Sequence, residues 1–372
     1  MGVYFYDSIP EYNEILNDIR EDDSEETRMR KLRMVIDLAD RNKDRNRQIK
    51  YRLQAMEDTT FYGDSFQMYS LFPVVLKLCD EAFKEEGKIP FLYSILWDYK
   101  WLIEESNYFY QVSAAHFEKL VDDAVKRFLN AGFSPRPIYL QAAIFYAASD
   151  SKKSADYYNM FLETNRDGIS DCLACEKTNE VIYFLFTGQE DKAMEKAAPL
   201  FAKFLRCTDA PYSTYLHCLL YASEKALQGK MIPAGFEASM AEYAADARKA
   251  VVNRKLLVEQ AGKLLIYYVL FEPNKVLPFI RRFPDYTEVI RNPYGVFYFS
   301  VGMLLFIKSL GDKETYKMKI DSRFKFYNPE NTYKVKEMYD YYLDIAKTTA
   351  ENFSKSQGNN RMKSLLDLVL EH

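Results

Sequence analysis

Short polar breaks interrupt this chain at a nearly even interval, and that rhythm constrains the fold more than any single motif does. The breaks fall at Gly63, Ser106, Ser149, Gly188, Gly229, Glu272 and Gly311, spaced 39 to 43 residues apart. Between them the apolar residues recur at helical spacing. Val121, Val125, Phe128 and Leu129 form one such stripe, with Lys119, Asp122, Asp123 and Lys126 beside it, the pattern of a helix that turns one face to a core. A period near 40 with one break per period is what stacked helix pairs produce. Only 13 Gly and 13 Pro occur in 372 residues, too few for many strands joined by tight turns. The expectation is an all-α chain of helix pairs with essentially no strand.

The clearest unit covers residues 178–206. A first helix, rich in Tyr and Phe, ends at Thr187-Gly188-Gln189-Glu190-Asp191, and a second begins at Lys192. Gly188 can adopt the left-handed conformation that stops a helix. Pro199 inside the second helix marks a kink or a boundary. With glycine at the turn and Ala193 five residues later, this unit resembles a tetratricopeptide repeat, although the period here is about 40 where that family's is about 34. The resemblance implies a right-handed α-solenoid of antiparallel helix pairs, running as one array over residues 1–353. It also implies that the first helix of each pair lines a concave surface. Its inward positions would be Lys50, Glu57, Tyr93, Lys100, Arg136, Tyr139, Tyr146, Tyr298 and Lys308, with apolar residues such as Ile182 and Leu185 between. Such a surface suits a protein or peptide partner that is amphipathic and mildly acidic.

The C-terminal part reads as a linker over residues 354–360 and a capping helix over residues 361–369. Met362, Leu365, Leu366 and Val369 share one apolar face, expected to dock on the last helix pair around residues 339–345. The alternative is exchange of that helix in a homodimer. Leu370-Glu371-His372 resembles the start of a purification tag.

Catalytic signatures are missing. None of the Gly-Lys pairs has the glycine that a phosphate loop needs, and no dinucleotide, zinc-protease or serine-hydrolase motif occurs. The helical histidines His116 and His217 read as packing or surface residues. Cys172-Leu-Ala-Cys175 could be a redox pair or half of a zinc site. No second pair completes it, and the acids Asp171 and Glu176 oppose a thiolate, so it reads as packing. No catalysis, cofactor or metal is expected. Five irregularly spaced cysteines do not make a disulfide framework and fit a reducing cytoplasm. The apolar stretch 293–307 is short enough to be a buried helix rather than a membrane span, and residues 1–10 lack the order of a signal peptide.

Charge is segregated. Residues 1–27 hold nine acids and one arginine, and residues 28–52 hold ten basic residues against three aspartates. The acidic arm is expected to neutralise the basic helix beside it. A second basic stretch, residues 313–336, interleaves lysines and Arg323 with Phe324, Phe326 and Tyr327, a pattern that can hold single-stranded nucleic acid. A net charge of −4 argues against that use. The function expected is non-catalytic binding of a protein or peptide, as in a regulator, scaffold or immunity protein. A nucleic-acid-binding helical repeat and an enzyme of helical fold are the alternatives.

Overall fold

The computed structural model describes residues 7–20, 23–62, 64–252, 258–281, 292–320, 322 and 324–372. Among them eighteen α-helices carry the fold, with one short two-stranded ribbon. The chain divides into two compact units, Met1–Glu105 and Ser106–His372.

In the first unit, α1 (Pro10–Asn17) packs on α2 (Glu25–Asn42), α2 on α3 (Arg45–Tyr62), and α3 on both α4 (Met68–Glu86) and α5 (Leu92–Glu105). Ser24 caps α2 by accepting the Thr27 N–H, satisfying a donor that the helix start leaves open. Gly87 ends α4 with φ of 68°, a conformation that costs glycine little. Tyr12, Leu16, Leu32, Val35, Tyr51 and Ala55 share one core. Above it the acidic arm does meet the basic helices. Asp7 takes Arg47 at 2.7 Å, Lys50 at 3.4 Å and the Tyr51 hydroxyl, while Asp23 and Asp18 take Lys31. Arg28 pairs with Asp58 and Arg52 with Asp40, both inside the helical segment.

The second unit holds α6 (Ala114–Asn130), α7 (Arg136–Tyr146), α8 (Ser151–Glu163), α9 (Leu173–Phe186), α10 (Glu190–Phe201), α11 (Tyr212–Leu227), the single turn α12 (Ala234–Glu237), α13 (Met240–Val252), α14 (Val258–Phe271), α15 (Val276–Ile280), α16 (Pro293–Lys308), α17 (Val335–Gln357) and α18 (Arg361–Glu371). α7 packs on α8, α9 on α10 and α11 on α13. The first members also touch in succession: α7 meets α9, α9 meets α11, α11 meets α14, and α14 meets α16. These first helices, with α5, are the ones that end at the sequence breaks from Ser106 to Gly311; Gly63 lies outside the described residues. α10 ends two residues after Pro199, whose carbonyl accepts the N–H groups of Phe204 and Leu205.

α16 is buried from Tyr294 to Ile307, and glycines let it pack closely on α14. A Cβ on Gly262 would stand 2.3 Å from the Phe299 nitrogen, and one on Gly295 would stand 2.5 Å from the Val258 Cγ1. Glycine at these positions lets the two helices approach more closely than any side chain would allow.

The expectation of almost no strand holds among the described residues, and the C-terminal expectations need adjusting. The ribbon pairs Thr315–Lys317 with Thr332–Lys334, antiparallel, so the basic stretch contains the only strand pair among the described residues. The supposed linker is helical through Gln357, where Gln357 Nε2 bonds the carbonyls of Ser106, Phe109 and Val112. α18 buries Met362, Leu365, Leu366 and Val369, but its contacts reach beyond α17 to α16 and α11. It runs through Glu371, so Leu370 and Glu371 form its last turn.

Candidate functional site

Of the nine nominated inward residues, four belong to the first unit. Tyr93 is 49% exposed, and Lys50 and Glu57 are half-buried. Lys50 borders a depression of 360 Å³ with Asp7, Arg47 and Phe91. Burial raises the Glu57 carboxyl above its usual range. Lys100 is buried, its ammonium 3.7 Å from the centre of the Trp97 ring.

The other five lie in the second unit, mostly engaged inside it. Arg136 donates to Glu176 at 3.1 and 3.0 Å and to the carbonyls of Phe161 and Thr164 at 2.6 Å each, with its guanidinium 3.8 Å from the Phe161 ring centre. It therefore ties α7 to the start of α9 and satisfies open carbonyls at the end of α8. Tyr139 is half-buried, near Tyr157. Tyr146 is buried, stacked on Tyr157 at 5.9 Å, and burial pushes its hydroxyl up to about 12. Tyr298 is 1% exposed. Lys308 donates to the carbonyls of Val369 and Leu370 at 2.9 and 2.8 Å, capping α18 from within the same unit. Of the five, Tyr146 and Tyr298 are buried by helix packing, and Arg136, Tyr139 and Lys308 are half-buried.

Two constellations escaped the sequence reading. The first is a stripe on α5. Tyr93, Trp97 and Trp101 follow at i, i+4 and i+8, so they share one helix face. Tyr93 stacks on Trp97 at 5.9 Å, and Trp97 meets Trp101 edge-on at 6.5 Å. Both tryptophans are half-exposed, and Phe91, just before the helix, is 42% exposed. These are the chain's only tryptophans, so their spacing was the available signal. Lys100 lies buried beneath the stripe, its ammonium against the Trp97 ring.

The second lies among α11, α14, α16 and α18, with Lys263, Glu259, Tyr294 and Tyr298 buried and His217, Glu224 and Arg361 half-buried. Lys263 is 0% exposed, pairs with Glu259 one turn before it, and lies 2.8 Å from the His217 Nε2. The His217 Nδ1 sits 2.9 Å from the Ser213 carbonyl. Nδ1 must then carry the proton and Nε2 must accept from the ammonium. Burial first, and the Lys263 charge second, hold His217 well below its usual range. Burial likewise lowers Lys263, against the pull of Glu259. Tyr298 donates to Tyr294 at 3.3 Å, and burial raises both hydroxyls, that of Tyr298 to about 12. Arg361, from α18, grips both Glu224 oxygens at 3.0 and 3.1 Å and lies 4.1 Å from the Phe186 ring centre. The sequence signal was faint: one Glu-Lys pair at i, i+4 in an otherwise apolar helix.

The basic stretch keeps Lys313, Lys317, Lys319 and Tyr327 exposed. Phe324 is buried, and Lys325 lies over the Tyr341 ring at 4.2 Å; Arg323 is outside the described residues. No helix among the described residues is long and apolar enough to cross a membrane. No protein-family model, curated protein or solved structure matches the chain.

Proposed function

We propose that this protein is a non-catalytic helical-repeat module of tetratricopeptide-like, α-solenoid design, acting in the cytoplasm by binding an amphipathic, mildly acidic peptide or helix of another protein. The carrying observation is the half-exposed aromatic stripe Tyr93, Trp97 and Trp101. Tyrosine and tryptophan dominate binding hot spots because each buries a large rigid surface with little entropy lost. The succession of helix pairs supports the repeat reading.

Tryptophan emission gives a direct test, since no other tryptophan contributes. Acidic amphipathic helical peptides, selected from a displayed library against the full chain, should shift and quench that emission on binding. Trp97→Ala should weaken their binding by roughly tenfold or more, the scale of one hot-spot loss, with the helical circular-dichroism signal kept. Selected peptides that bind both forms equally would sink the stripe. Selection that yields no peptide, with strong heparin binding that falls steeply with salt, would favour the nucleic-acid reading instead.

The second reading, an enzyme of helical fold, draws on the perturbed groups around Lys263. Against it, Lys263 and Glu259 are sealed from solvent in this arrangement, at 0% and 6% exposure. A polar cluster of this kind holds helix register through its satisfied members, although the Arg361 Nε within it has no hydrogen-bond partner.

A further inference from the structure

Cys172 and Cys175 do not stand alone. Cys207, 32 residues beyond Cys175, comes in from the loop between α10 and α11, and the three sulfurs lie within 4.8 Å of one another. The Cys175 and Cys207 sulfurs are 3.3 Å apart. Cys172 is the N-cap of α9 and its sulfur accepts the Cys175 N–H at 3.4 Å. The Cys207 sulfur accepts the Ala210 N–H at 3.4 Å, in a turn closed by the Cys207 N–H to the Ala210 carbonyl at 3.0 Å. Backbone N–H groups aimed at sulfur stabilise thiolate, and so does a helix start. Cys79 and Cys218, in contrast, are buried apart from this cluster.

The geometry points to a three-thiolate site for one Zn²⁺ ion at Cys172, Cys175 and Cys207, with the fourth position open to water. Zinc–sulfur bonds of ~2.3 Å in a tetrahedral arrangement put the sulfurs about 3.8 Å apart; the Cys175–Cys207 pair at 3.3 Å, with all three sulfurs inside 4.8 Å, needs only small shifts to reach it. Thiolates select a thiophilic cation over magnesium or calcium. Cys172 is exposed, so the site opens to solvent on its side. On binding, the S–H bonds of the protonated thiols break, three Zn–S bonds form, and the released protons pass to solvent, so affinity rises with pH. No oxidant or reductant is required.

The site has a mechanical role as well. Only Ala174, Leu200 and Ala210 form the buried cluster here, with Leu205 and Cys207 packed against it. Zinc would staple the loop after α10 to the start of α9, where this small core provides little hold.

The test uses the full chain, kept reduced and stripped by a chelator. Titration with Co²⁺ should give sulfur-to-metal charge-transfer absorption and the visible bands of tetrahedral cobalt thiolate, saturating at one equivalent and bleached by one equivalent of Zn²⁺. Replacing an exposed ligand, Cys172→Ser, should lower zinc affinity by ~100-fold or more, beyond the effect of losing an outer-sphere partner, with helicity unchanged. Cys175→Ser and Cys207→Ser should do the same, and Cys79→Ser should not. Reduced wild type without cobalt–thiolate absorption would overturn the site, as would equal affinity in Cys172→Ser. Thiol trapping in cells that shows a Cys175–Cys207 disulfide without zinc would also overturn it.

Discussion

The two units hold charge inside packed helices in opposite ways. In residues 7–105 the centre is an acid: Asp7 gathers Arg47, Lys50 and the Tyr51 hydroxyl. In residues 106–372 the centre is a base: Lys263 is held by Glu259 and His217. The acid centre has a surplus of donors, so losing one leaves others. The base centre has one carboxylate for one ammonium, fully desolvated, so each partner depends on the other. Redundancy, more than the number of ion pairs, sets how costly a broken contact is.

The largest effect should come from breaking the base centre. Lys263→Ala leaves Glu259 buried without its partner and should cost about 3–5 kcal/mol, read by denaturant unfolding. Lys263→Met with Glu259→Leu should recover most of that loss. A loss below that of the surface controls would remove the contrast.

Arg136 comes next. Its guanidinium satisfies Glu176 and two carbonyls at once, and Arg136→Ala should cost about 2–3 kcal/mol, the scale of hydrogen bonds to a charged group. That loss would confirm a structural clamp rather than a surface residue that tolerates truncation.

Acid separates the two centres by window. Asp7 is held well below the usual carboxylate range; burial opposes this, and the Arg47 and Tyr51 bonds outweigh it. A depressed carboxyl contributes stability that is present above the unfolded value of about 4 and lost as pH falls below it. His217 is a base with a lowered native pKa, from an ordinary 6.5. Below that value the unfolded chain binds a proton that the native chain does not, so stability falls as pH falls, by at most about 1.4 kcal/mol per pH unit. His217→Gln should flatten the stability curve just below pH 6.5, and Asp7→Asn should flatten it only below about pH 4. Identical curves for the two variants would merge the centres.

The smallest effect is the control. Lys336 and Asp340 pair on an exposed face of α17, at 85% and 55% side-chain exposure, and Lys336→Ala should leave the unfolding midpoint where it is in the wild type.

Much of the helix frame was legible because its punctuation is local. Gly188, Gly229 and Gly311 have φ of 70°, 65° and 65°, and each stops a helix by its own backbone chemistry. The apolar run after Pro293 could be read as a buried helix from composition alone. The site was far less legible. Tyr298 and Arg136 look like surface tyrosine and arginine until the helices that cover them are known. Cys207 has no local spacing that links it to Cys175. Trp97 and Trp101 could have been found by their spacing with Tyr93, and the register borrowed from a shorter repeat passed over them.

The glycine seam between α14 and α16 also governs motion. At Gly262 backbone lies directly against backbone, with no side-chain layer there to absorb sliding, while Gly295 and Gly302 press on the side chains of Val258 and Leu265. The two helices should move as one rigid plate, and breathing of the second unit is displaced to its other interfaces. Lys263 follows Gly262 directly, so the buried ammonium rides on the stiffest part of the unit. Amide hydrogens of residues 262–266 should therefore exchange only when the whole unit opens, and hydrogen-exchange mass spectrometry can time that event.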